Sequence, residues 1–190
     1  MSKAKVGQLM NCPLAERVRL FLIEIGLPVA IAPGASGFVE HSEFYQGTLR
    51  VDPQCRASSL LHEAGHLAVI PGRYRHMVTG SLGQSIRAIL ADPIFETLPP
   101  DDPLMRAMIQ TSDPEVTAWA WAAGTHLQIP PKMIIMDDEY SGEGKILRMQ
   151  LKAMAYIGIN GLSHGGFCQR RANPYSSLPV YPALAFWLQP

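Results

Sequence analysis

His62, Glu63 and His66 stand in the order His-Glu-Ala-Gly-His, inside the apolar run from Leu60 to Val69. Residues four apart on a helix lie one turn above each other, so both imidazoles project from one face. Two imidazoles so placed can bind one zinc ion, and Glu63 beside them can act as general base on a water that the metal activates. Positions 60, 61, 64, 67, 68, 69 and 70 are all apolar or alanine, so this helix is expected to be buried nearly all round. A glutamate and two histidines buried there are costly without partners, which a metal and its water would supply. The simpler alternative is a core helix whose polar groups are satisfied by side-chain hydrogen bonds.

Catalytic zinc usually has three protein ligands and one open position, so a third ligand is needed. The extended pattern H-E-x-x-H-x-x-G-x-x-H fails, because Val69 stands where Gly is required and Gly72 where His is required. A distant carboxylate is the better choice. Glu115 opens a helix whose same-face neighbours, Ala118 and Ala122, are small enough to let it approach the metal helix, with Trp119 and Trp121 on the flanks. The competing role for Glu115 is to complement the helix dipole from the first turn. Glu96 in Ile94-Phe95-Glu96 is the runner-up, with His76 and Asp113 behind it. His126 lies three turns from Glu115, too far for a shared ion. A second electrophile is also wanted to steady a tetrahedral oxyanion, and His164 (in Ser163-His164-Gly165-Gly166) and Tyr140 are the candidates. Cys55, seven residues before His62, is either a redox-sensitive lid on the site or a small core residue.

These residues need elements to position them. Residues 1–12 read as a loose lead-in. Pro13 to Ile25 reads as an amphipathic helix with Pro at its first position and Gly26 at its C-cap. Pro28 to Ala32 reads as a short strand, and 33–46 as polar and turn-rich. Thr48 to Val51 alternates as a strand, whose edge could hold an extended peptide across the metal. The metal helix follows near 56–69 and stops at Pro71-Gly72. Ser85 to Leu90 suggests a turn or two of helix, and 98–102 a loop. Asp102-Pro103 and Asp113-Pro114 each look like an N-cap followed by Pro, opening helices to about Gln110 and about Leu127. Pro130-Pro131 ends the second. A further helix is expected over Lys145 to Tyr156, then an irregular Gly-, Pro- and aromatic-rich tail over 161–190. The expected fold class is α+β and zincin-like: a small sheet, the H-E-x-x-H helix and a mainly helical C-terminal half, in one domain over 1–190.

The bulk properties exclude other classes. Sixteen basic residues balance 16 acidic ones, so no broad footprint for nucleic acid or an anionic membrane is visible. Three widely spaced cysteines, Cys12, Cys55 and Cys168, argue against a disulfide framework and fit a reducing, cytoplasmic compartment. The apolar run from Leu20 to Ala32 is broken by Glu24, Gly26 and Pro28, so no membrane span is expected. Lys3 and Lys5 suggest a signal n-region, but Glu16, Arg17, Arg19 and Glu24 break any apolar core behind it.

Residues 47–69 resemble the active-site segment of the ImmA/IrrE family of metallopeptidases, in which a strand and turn lead into an H-E-x-x-H helix. The family's later pattern, E-x-x-A-x-x-(aromatic)-A-A and a proline, is matched by Glu115, Ala118, Trp121, Ala122, Ala123 and Pro130. The resemblance spans about residues 13–131, with longer gaps after His66 and after Ala123 than the family shows. It implies a gluzincin-like site with His62, His66 and Glu115 as zinc ligands and Glu63 as base, and cytoplasmic proteolysis of a regulatory or processing protein target. The alternative is a metal-binding regulatory or sensor module with little turnover. The intact Glu63 argues against a vestigial site in a purely structural partner protein.

Overall fold

The computed structural model describes residues 9–190, so most of the lead-in expected over 1–12, including Lys3 and Lys5, lies outside the described residues. The class is α+β, with a small mixed sheet and a mostly helical remainder. Helix α1 (Pro13–Glu24) begins on Pro13 and buries Ala15, Val18, Phe21 and Leu22. Strand β1 (Val29–Ile31) pairs in parallel with β3 (Thr48–Val51), which pairs antiparallel with β2 (Ser42–Tyr45), giving the order β1-β3-β2.

That order corrects the sequence reading of this region. The strand over 48–51 is central, so it has no edge to offer. The edge belongs to β2, inside the stretch read as turn-rich. Ser42 and Phe44 are its buried residues, too short an alternation to stand out against the polar neighbours. A two-residue turn, Gln46-Gly47, joins β2 to β3 with φ of 47° and 75°. Positive φ at both positions is the turn that matches the strand twist, and Gly47 is suited to it.

Helix α2 (Ala57–Val69) carries the His-Glu-Ala-Gly-His segment and is the most deeply buried element, with eleven of its residues buried. It packs on α7 (Asp113–His126), whose Trp119 is fully buried. Gly65 makes the close approach possible: a Cβ there would lie 2.8 Å from Val116 Cγ1 and 3.1 Å from the Val116 carbonyl. Between α2 and α7 lie α3 (Gly72–Arg75), α4 (Leu82–Leu90), α5 (Ile94–Thr97) and α6 (Pro103–Ile109). Asp102 caps α6 by accepting from the Leu104 N–H at 2.8 Å. After α7 come α8 (Pro131–Ile134), a single 3-10 turn at Tyr140–Gly142, α9 (Gly144–Lys152) and α10 (Gly158–His164). Thus Pro130-Pro131 ends one helix and starts another. The helix expected over 145–156 stops at Lys152, and α10 occupies the start of the supposed tail. Gly158 lets α10 lie directly on α7, since a Cβ there would collide with the Pro114 carbonyl.

From Gly165 onward the chain is irregular but firmly attached. The Trp119 indole donates to the Trp187 carbonyl at 2.9 Å, the Tyr181 hydroxyl to the Ala118 carbonyl at 2.9 Å, and the Gln189 N–H to the Ala68 carbonyl at 2.8 Å. Arg75 ties this segment to the end of α2, donating to the carbonyls of Leu67, Ile70 and Gln189. The tail therefore holds both central helices. Among the described residues, no helix is long and apolar enough to cross a membrane.

The helix contact generates a paired prediction. Gly65→Ala should destabilise the chain by about 1–3 kcal/mol through overpacking, despite alanine's better helix propensity. Gly83→Ala in α4, where a Cβ meets nothing within 4 Å, should stabilise it by about 0.5–1 kcal/mol. Urea unfolding of the two variants measures both, and equal effects would show that the α2–α7 contact is not tight.

Candidate metal centre

One helical turn brings the His62 and His66 rings to 4.9 Å between centroids, nearly perpendicular at 88°. Ligand atoms of His62, Glu63 and His66 all lie within 4.8 Å of one another, a group able to hold a metal ion. Burial dominates their protonation. It drives His66 down to about 3, with repulsion from His62 adding to the effect. His62 is lowered by the same burial, against the pull of Asp113 and Glu139. Burial pushes Glu63 up to about 7, with the charge of Asp113 acting in the same direction. At neutral pH both imidazoles are thus in the neutral form that binds metal. Among the described residues the His66 Nδ1 is buried with no hydrogen-bond partner, while its Nε2 faces Asp113. Two neutral imidazoles one helical turn apart, with Glu63 beside them and Asp113 against His66, fit a divalent metal ion.

The structure separates the two carboxylates that open α7. The helix begins one residue earlier than the Asp-Pro signature suggests, with Ser112 at the N-cap and Asp113 inside the first turn. Asp113 is therefore not spent on capping. Its Oδ1 comes to 3.5 Å from His66 Nε2, and its side chain is 76% exposed, open to the groove in front of the helix. Glu115 is turned away. Its carboxylate accepts a hydrogen bond from the Ser112 hydroxyl and lies over Gly161 of α10, where a Cβ would overlap Oε1. Ser112-x-x-Glu115 has the sequence of a capping box, but the two side chains bond to each other and neither caps a backbone N–H. The Ser112 hydroxyl partners the Glu115 carboxylate without a metal. The ligand group is His62, Glu63 and His66, with Glu115 outside it; Asp113, placed behind Glu115 and Glu96 from sequence, also lies outside it but comes into contact with His66.

Tyr140 is at the site. Its hydroxyl lies 3.0 Å from His62 Nδ1 and 3.0 Å from Thr117 Oγ1 on α7. Burial raises its phenol well above the usual range, with the Thr117 hydrogen bond opposing. It stands on a backbone with φ of 55°, followed by Ser141 at 59° and Gly142 at 87°. A bulky residue in the left-handed region is strained and is held there by its surroundings. His164, by contrast, is exposed at the end of α10 and lines neither cavity beside the histidines. Glu96 and His76 are exposed on α5 and just after α3. His126 packs on the rings of Phe21 and Trp187. Cys55 is a buried core thiol, pushed up to about 12 mainly by burial, and donates to the Arg56 carbonyl.

Two cavities meet at the histidines. A groove of about 540 Å³ runs between the edge of β2 and the 80–83 segment, with His62, Glu63, His66 and Asp113 along it. A smaller cavity of about 220 Å³ opens on the other side of His62 and Glu63, towards Tyr140. Comparison of the chain with protein-family models, curated proteins and solved structures finds no match in any of the three.

The shifted Glu63 generates a prediction for the chelator-treated chain. The native state keeps its proton up to about pH 7, whereas an ordinary glutamate releases it near 4.5. Its contribution is complete below pH 4.5 and is lost as the pH rises to 7. Replacing Glu63→Gln removes that loss. Relative to wild type, the variant should gain on the order of 2–3 kcal/mol between pH 4.5 and pH 8, read by urea unfolding. A difference independent of pH would mean that Glu63 titrates normally.

Proposed function

We propose that this chain is a zincin-like, zinc-dependent metallopeptidase that hydrolyses a peptide bond in a protein or peptide substrate. One observation carries the reading: His62, Glu63, His66 and Asp113 converge along a groove walled by the edge strand of a sheet. The Asp52 N–H donates to the His41 carbonyl, which sets the ladder so that Glu43 and Tyr45 bond to β3 while Ser42 and Phe44 face outward. Val39 and Gly80 take the Ser42 N–H and the Phe44 carbonyl. Among the described residues, the Phe44 N–H is left without a hydrogen-bond partner, on the residue whose ring packs on His66, while the Ser42 carbonyl is covered by Gly37. The main chain of an extended peptide can supply an acceptor for such an N–H.

A bound zinc ion would supply Lewis acidity, activating a water and polarising the scissile carbonyl. His62, His66 and Asp113 would hold it, so the reading keeps the ImmA/IrrE-like helix and replaces that family's third ligand. The Glu63 carboxylate accepts the proton of the attacking water and delivers it to the departing amine nitrogen as the C–N bond breaks. The hydroxyl ends on the carbonyl carbon and the proton on the new amine. Its raised proton affinity suits both steps near neutral pH. Tyr140, braced by Thr117, is a positioning residue that fixes the His62 ring. The Phe44 N–H anchors the substrate main chain. The free cysteines Cys12, Cys55 and Cys168 fit a reducing, cytoplasmic setting for this activity, and a regulatory or processing target follows the same resemblance.

Two measurements test the reading. Glu63→Gln should retain one zinc per chain by mass spectrometry and lose about 10²–10⁴-fold in peptide hydrolysis. Full activity in that variant would overturn the peptidase assignment. Asp113→Asn should weaken zinc binding at least about tenfold, while Glu115→Gln keeps the metal and loses about 1 kcal/mol of stability with the Ser112 hydrogen bond. The reverse pattern would return Glu115 to the metal.

A further inference from the structure

The smaller cavity beside His62 and Glu63 has a chemical character of its own. Its walls include Val39, Ala120 and Ile134, which are apolar. Ser58, one turn before His62 on α2, lines it too; the residue is 96% buried and its hydroxyl has no hydrogen-bond partner. Glu139 stands on the wall next to Tyr140. One of its oxygens accepts the Met136 N–H at 2.8 Å, which fixes the carboxylate, and among the described residues the other makes no hydrogen bond or ion pair. Among the described residues no Lys or Arg lines the cavity. Two nearby arginines are paired elsewhere, Arg56 with Asp138 and Arg148 with Asp137 and the Ile135 carbonyl, while Lys132 and Lys145 act on Asp137. An apolar slot of about 220 Å³ with an unpaired carboxylate and an orphaned hydroxyl suits a guest with an aliphatic stem and a cationic hydrogen-bond donor at its end.

The geometry points to this cavity as the side-chain specificity pocket for a lysine or arginine flanking the scissile bond, with Glu139 and Ser58 as its recognition groups. The assignment rests on the peptidase reading of the neighbouring groove. The cavity shares Glu63 and His62 with the proposed chemistry, so a side chain seated in it belongs to the residue next to the reacting carbonyl. The strained turn at Tyr140–Gly142 follows Glu139 directly, so the backbone that braces His62 also aims the carboxylate. Such a pocket discriminates by charge: an acidic side chain would face Glu139, and a neutral one would leave Ser58 and Glu139 unpaired.

The test uses the full-length Glu63→Gln chain, which also removes the second carboxylate at the mouth. Fluorescein-labelled heptapeptides of alanine and glycine carry lysine, norleucine or glutamate at the centre, and binding is read by fluorescence anisotropy. The lysine peptide should bind at least about tenfold tighter than the norleucine peptide, the size of one charge-assisted hydrogen bond, and the glutamate peptide weakest. Adding Glu139→Gln should erase the lysine preference. Adding Ser58→Ala should reduce it and leave norleucine binding unchanged. Equal binding of lysine and norleucine, no binding of any peptide, or a preference that survives Glu139→Gln would overturn the assignment. Hydrolysis of the same peptides by wild type separates the two readings. Cleavage without a lysine preference sinks the pocket alone, whereas lysine-selective binding without any cleavage sinks the peptidase and leaves the pocket.

Discussion

Burying three ionisable side chains on one apolar helix is the constraint around which this molecule is arranged. Helix α2 is packed against α1, β3, α7 and α8, and among the described residues its His62, Glu63 and His66 face the groove while Ser58 and Glu63 also line the smaller cavity. Glu63 and His66 are nonetheless more than nine-tenths buried, so their polar atoms need partners from the protein or from a ligand. The shifts of all three groups express that burial: two imidazoles held neutral and a carboxyl that keeps its proton towards neutrality. A metal ion relieves these penalties together, because it binds neutral imidazole and attracts a neighbouring carboxylate.

The tight α2–α7 contact then determines which other groups can take part. Gly65 lets Val116 approach, and this sets the start of α7 against the end of the histidine pair. The first turn of α7 carries two acids with different fates. Glu115 is drawn to the Ser112 hydroxyl and the glycine surface of α10, while Asp113, one turn position away, is left facing His66. The irregular C-terminal segment stabilises the same contact, since Trp187, Tyr181 and Gln189 each bond to α2 or α7.

Much of the local structure was readable from residue types. Pro13 and Gly26 delimit α1, Asp102-Pro103 opens α6, and the apolar surroundings of His62, Glu63 and His66 announce a buried helix. These features depend on neighbours a few residues apart, where periodicity and capping chemistry act. The reading failed where the cause is distant. The Ser42–Tyr45 strand is too short to show a period, and it exists because Gln46-Gly47 folds it back on β3. Glu115 was chosen as third ligand from sequence, and sequence distance could not show that Asp113 is the acid of α7 that lies against His66. His164, a candidate for steadying the oxyanion, lies on the exposed end of α10.

By itself, then, the sequence determined the His-Glu-Ala-Gly-His helix, its burial, and the α+β class, because spacing along one helix and hydrophobic pattern are local properties. Only the tertiary structure decided that Asp113 rather than Glu115 lies against His66, that Tyr140 and Thr117 brace His62, that β2 is the edge strand, and that Ser58 and Glu139 share a cavity. Each of those pairings joins residues far apart in the chain, and which side chains meet follows from helix packing and backbone direction that no short stretch of sequence contains.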